Sequence, residues 1–155
     1  MNTEEIIRVL QNSKFFRNLD NENLARVASL CREVTVDAGD WVFKQGDYGE
    51  HLFIVVEGRI QLERTMNMGG REGRVTIDTL GKGRTLGCWS ALLGEPHVLM
   101  SGAVCEKPSL LLKIRGNALR QMMTETVGFG FVMMERLCFL LRDRIQAAYG
   151  AMDRF

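Results

Sequence analysis

The chain has 155 residues, of which 46% are hydrophobic and 25% charged, with a formal net charge of +1. That is ordinary for a soluble globular protein and enough for one domain with a full core, expected over residues 1–155. The near-zero charge supplies no global field to draw nucleic acid or an anionic membrane, and no apolar run approaches the roughly 18 residues that span a bilayer.

The N-terminus, Met1-Asn2-Thr3-Glu4-Glu5, lacks the basic region and apolar run of a secretory signal, so a cytoplasmic location is expected. The first elements are helical, over about residues 3–31. Ile6, Ile7 and Leu10 follow Thr3, which is expected to cap the first helix, with Glu4 and Glu5 favouring its first turn. Asp20 precedes Leu24, Val27, Ala28 and Cys31, the signature of a second capped helix with one apolar face.

From Glu33 the period changes. Val34 and Val36 alternate with polar residues, Val42-Phe43 follows a turn, and Leu52 to Val56 is a short apolar run. Ile60 and Leu62 alternate, Val75 and Ile77 do likewise, and Leu110-Leu111-Leu112 ends the series. Turn signals separate these runs, at Gly39, Gly46-Asp47, Glu57-Gly58, Met68-Gly69-Gly70 and Gly81-Lys82-Gly83, and Met66 to Arg74 is expected to form a mobile hairpin tip. Short, evenly punctuated strands over about 33–114 predict an antiparallel all-β roll; the spacing leaves no room for parallel crossovers.

Helical periodicity returns over about 116–150. Leu119, Met122 and Met123 mark a short helix, and Gly128 and Gly130 weaken helix propensity just after it, so the long helix is expected from about 129. It carries two apolar stripes. Val132, Met133, Leu137 and Leu140 form one; Met134, Cys138, Leu141, Ile145, Ala148 and Met152 form the other. The second has the spacing of a coiled-coil seam, so one stripe is expected to meet the roll and the other a second copy of the chain. Arg142, Arg144 and Arg154 are expected on a solvated face, and the stretch to Phe155 leaves no room for a helix-turn-helix, so direct DNA binding is not expected.

Catalytic and metal chemistry find little support. The two histidines, His51 (expected in a turn) and His97 (in a loop), form no H-x-H pair, so no metal site is expected. The four cysteines, Cys31, Cys88, Cys105 and Cys138, lack metal-ligand spacing and are expected as free thiols. No nucleophile with a supporting base and no P-loop is recognisable.

The segment Val36 to Asp47, with Gly39-Asp40 leading into Trp41-Val42-Phe43 and then Gln45-Gly46-Asp47, resembles the opening strands of the cyclic nucleotide-binding domain family. His51 to Ile60, turning at Gly58, resembles the next pair. The likeness, to domains of the catabolite activator and protein kinase A regulatory-subunit type, covers roughly residues 13–150. It implies an antiparallel double-stranded β-helix, or jelly roll, with N-terminal helices and a long C-terminal helix.

In that family a cyclic phosphate sits on a short helix between two strands, and the resemblance places this cassette at Leu86 to Gly94. It implies ligand contacts from Gly87, Cys88, Trp89, Ser90 and Ala91, joined by Met100 and Ser101 on the next strand. Backbone N–H groups at a helix N-terminus favour an anion. The family adds a Glu for the ribose hydroxyl and an Arg for the phosphate. Here Cys88 stands at the Glu position. The Arg position falls on Met100 when Met100 to Val104 is aligned with the strand, or on His97 when the alignment starts from Pro96; the first suits the small-residue run. Neither supplies a guanidinium, although Arg84 could substitute.

The expected protein is therefore a non-enzymatic regulatory or ligand-sensing domain with a degenerate cassette and weakened or lost cyclic AMP and cyclic GMP recognition. It would signal through its last helix, to a homodimer partner or a separate effector protein. Two alternatives stay open: a working cyclic nucleotide receptor with substitute pocket residues, and a structural dimerisation or adaptor module whose pocket is filled by Trp89 and Met100. Cys88, near a helix N-terminus, is also a candidate reactive thiol.

Overall fold

The computed structural model describes residues 1–95 and 97–154, with the backbone alone for Cys88 and Ser90. Helix α1 spans Thr3–Asn12 and α2 spans Asn21–Leu30. The cap of α1 is Asn2, not Thr3: the Asn2 Oδ1 accepts from the Glu5 N–H at 2.9 Å, while the Glu5 carboxylate accepts from the Asn2 N–H at 2.8 Å. This reciprocal box satisfies two N–H groups that Thr3, already inside the helix, could not reach. Asp20 caps α2 as its sequence position implies, accepting from the Asn23 N–H at 2.8 Å.

The middle of the chain forms two four-stranded antiparallel sheets, a jelly roll. One contains β1 (Arg32–Val36), β3 (His51–Glu57), β6 (Thr85–Leu86) and β8 (Ser109–Arg115), in the order β1-β8-β3-β6. The other contains β2 (Trp41–Phe43), β4 (Ile60–Asn67), β5 (Glu72–Leu80) and β7 (Gly102–Cys105), in the order β2-β7-β4-β5. His51 thus opens β3 instead of sitting in a turn. Strand β3 is buried on both faces. Phe53 and Val55 enter the core between the sheets, while Leu52 and Ile54 enter a second core under the helices. Because both faces are covered, the strand reads as a continuous apolar run and not an alternation.

The hairpin of β4 and β5 stays paired out to Asn67 opposite Glu72, leaving only Met68 to Arg71 as the tip. The expected tip from Met66 to Arg74 was too wide, because exposed polar strand residues carry no burial pattern. Between β3 and β4, Gly58 has φ +120°, and a Cβ there would lie 2.1 Å from the Ser109 Oγ. Backbone conformation and close packing together demand glycine at this reversal.

Three further helices complete the described chain: α3 (Cys88–Leu92), α4 (Gly116–Glu125) and α5 (Val127–Met152). Helix α5 starts two residues before the expected position and runs through Gly128 and Gly130. A Cβ on Gly130 would lie 2.4 Å from the Met123 carbonyl oxygen. The glycine is used for close approach to α4, and packing outweighs its poor helix propensity. Met133 and Leu137 of α5 join Leu10, Phe16, Leu24 and Leu119 in the helix-side core, against Leu112 and Ile114 of β8.

A candidate ligand pocket between the roll and the last helix

The cassette begins at Gly87, which has φ +81° and sits where a Cβ would approach the His51 carbonyl oxygen to 2.6 Å. This left-handed glycine turns the chain out of β6 into α3. The helix has five residues, little more than one turn, so its dipole is small. The loop after it is anchored to the Gln-Gly-Asp turn: Gly46 N–H donates to the Leu99 carbonyl at 2.8 Å and Leu99 N–H to that of Asp47 at 2.7 Å. Gln45 reaches across to β4, its Oε1 accepting from the Thr65 N–H at 2.8 Å. The turn predicted from sequence therefore fixes one wall of a cavity.

That cavity has a volume of about 700 Å³. Gly87 and Trp89 line it from the cassette, and Leu99, Met100 and Ser101 from the following loop. Phe43, Leu62, Ile77 and Leu86 supply the floor. Leu140, Leu141, Ile145 and Ala148 of α5 line it from the helix side. Its charged lining residues are Arg64 of β4 and Arg144 of α5; no carboxylate lines it among the described residues.

Of the expected ligand residues, Gly87, Trp89, Met100 and Ser101 come together here. Ala91 does not: it is buried against Gly116, in the core beneath the helices. The side chains of Cys88 and Ser90, and Pro96, lie outside the described residues; His97, the other candidate for the arginine position, does not line the cavity. Trp89 and Met100 stand on the wall of the cavity, and Met100 is 57% exposed. Of the helix stripe expected to face a second copy, Leu141, Ile145 and Ala148 line the pocket, Met134 packs on the helix-side core, and Cys138 is exposed.

The cationic residues are placed differently from the sequence reading. Arg84 lies outside this pocket, paired with Asp78 at 3.4 Å. Arg64 takes the position beside Met100, donating to its carbonyl oxygen. Leu62 and Arg64 are two apart on one strand, so alternation along β4 was the available signal. Arg144, expected to be solvated, has a side chain only 17% exposed. It pairs with Asp78 at 3.3 Å and donates to the Thr85 carbonyl at 2.6 Å, joining α5 to β5 and β6 next to the cassette. Arg154 also turns back to the roll, donating to the Thr76 carbonyl at 3.3 Å.

Fold and site together define a jelly-roll binding domain with a helix along its pocket. Residues 33–126, more than half of the chain, match the family model of the cyclic nucleotide-binding domain, and the chain belongs to that family. It is 32% identical over 106 residues to a cyclic AMP receptor protein of Thermus thermophilus, covering 68% of this chain and 47% of that protein. It is 28% identical over 130 residues to a cGMP-dependent protein kinase of Caenorhabditis briggsae, covering 81% of this chain and 15% of the kinase. The chain thus spans less than half the length of either relative. A crystal structure of a cyclic nucleotide-binding domain from Methylobacillus flagellatus shares the fold, with a TM-score of 0.75 at 23% identity over 96% of this chain and 80% of that one.

Proposed function

We propose that this chain is a non-enzymatic, cytoplasmic ligand-sensing domain whose pocket takes a mainly apolar molecule bearing one anionic group in preference to cyclic AMP or cyclic GMP. The observation that carries the reading is the pocket's composition: apolar walls, two arginines and no lining carboxylate among the described residues. A ribose hydroxyl needs an acceptor of the kind that Cys88 replaces, and a cyclic phosphate needs a guanidinium from the cassette strand, where Met100 stands. Hydrogen bonds to charged groups contribute roughly 1.5–3 kcal/mol each, so loss of both weakens a nucleotide by about a thousandfold.

Occupancy would be read by α5, because Leu141, Ile145 and Ala148 face the ligand space and Arg144 ties the helix to β5 and β6. The output would pass to a second copy of the chain or to a separate effector protein. Cys138 and Met152 lie fourteen residues apart on α5, are exposed and do not line the pocket, which supports this edge of α5 as a homodimer seam. No helix among the described residues is long and apolar enough to cross a membrane.

A working cyclic nucleotide receptor is the second reading, favoured by Arg64, whose guanidinium lies beside Met100 and could meet a phosphate in place of the missing arginine. Calorimetric titration separates the two. With cyclic AMP and cyclic GMP, no binding is expected at micromolar concentration. With 1-anilinonaphthalene-8-sulfonate, an apolar anion, saturable fluorescence enhancement is expected, reduced by Arg64→Ala. Micromolar affinity for either nucleotide overturns the proposal.

A further inference from the structure

A second cavity, of about 310 Å³, lies along the neighbouring flank of α5 and shares only Leu140 and Arg144 with the apolar pocket. Its lining is strongly cationic. Lys14 and Arg17 come from the loop between α1 and α2, Arg84 from the turn before β6, and Arg136, Arg142 and Arg144 from α5. Among the described residues, two carboxylates pair with four of these six cations. Asp143 meets Lys14 at 3.6 Å and Arg142 at 3.3 Å, while Asp78 meets Arg84 at 3.4 Å and Arg144 at 3.3 Å. Arg136 donates instead to the carbonyls of Lys14, Phe15 and Arg17, at 3.2, 3.1 and 2.7 Å. With Arg144 left out of the count, the five other cations of the cluster exceed these two carboxylates by three positive charges.

Guanidinium forks match phosphate oxygens bidentately and hold them more firmly than isolated point charges do. Phe139 and Leu140 add an apolar wall for the organic part of a ligand.

We propose that this cleft is a second ligand site, for a small molecule carrying a phosphate or two linked phosphates. The proposal does not depend on what fills the apolar pocket. The probe is sodium pyrophosphate, titrated by calorimetry into the full chain at about 50 mM salt, where the cluster is only partly screened. Saturable one-to-one binding is expected, with a dissociation constant below about 1 mM. Arg17→Ala and Arg142→Ala, both at exposed side chains, should each weaken it by about tenfold, while Arg64→Ala, in the other cavity, leaves it unchanged. Melting curves establish that all three variants are folded. The proposal is overturned if no saturation occurs by about 10 mM. It is equally overturned if Arg64→Ala abolishes binding while the cleft variants do not, or if all three variants weaken it alike, as a diffuse surface field would.

Discussion

Gly87 and Gly39 form a matched pair for separating backbone strain from collision. Both adopt the left-handed region, at φ +81° and +85°. A Cβ on Gly39 would meet nothing within 4 Å, whereas one on Gly87 would lie 2.6 Å from the His51 carbonyl oxygen, a backbone atom with little freedom to retreat. Alanine in this region costs about 1–2 kcal/mol at either site. The unfolded-state gain from glycine to alanine applies to both and cancels in the comparison. At Gly87 the collision adds about 1–3 kcal/mol of overpacking. Gly39→Ala should therefore destabilise by about 1–2 kcal/mol and Gly87→Ala by about 2–5 kcal/mol. Urea denaturation with unchanged m-values measures both, and the melting temperature should fall by about 2–4 °C per kcal/mol. Because Gly87 also lines the pocket, its variant alone should weaken binding of the apolar anion. Equal losses of stability in the two variants would refute the view that β3 dictates glycine at the start of the cassette.

Further expectations concern charge and thiols. Asp78→Ala, which removes the carboxylate that Arg84 and Arg144 share at side chains 32% and 17% exposed, should cost about 2–3 kcal/mol in urea unfolding, whereas Glu106→Ala, in an exposed pair with Arg59, should cost under about 1 kcal/mol. Burial, and then the Lys113 charge, hold His51 below the usual histidine pKa. The unfolded chain therefore takes up that proton first. Stability should fall as pH drops below about 6.5, level off below the folded-state pKa, and be unaffected at higher pH. A His51→Gln variant should show a flatter melting temperature between about pH 7.5 and 5, and an identical profile in both proteins would contradict this. Burial pushes the Cys31 thiol up to about 12 and raises that of Cys105, so exposed Cys138 should alkylate before either, as peptide mass spectrometry can follow. If α5 pairs two parallel copies, mild oxidation should also link Cys138 across the seam, and Met152→Glu, at a residue that is exposed and outside the pocket, should abolish that product.

Local chemistry made much of the architecture legible in the chain alone. Glycines at 39, 46 and 58 marked reversals that all prove to have positive φ. Asp20 announced its helix because a cap is a contact between residues three apart. Errors at this level were small and local, as when Asn2 replaced Thr3 as a cap. The site was harder to read. Gly87, Trp89, Met100 and Ser101 were legible only because the resemblance located the cassette, and it also drew in Ala91, which turns to the opposite side.

The amino-acid order alone determined where strands, turns and helices fall, since these follow from steric and capping preferences within a few residues. Tertiary structure alone decided which apolar stripe of α5 overlooks the pocket, and which arginines enter cavities. Arg144 depends on partners 66 and 59 residues away, and Arg64 on a carbonyl 36 away. A helical period shows that a face is apolar but not what covers it, and a charged residue reveals its environment only once distant strands have been brought beside it.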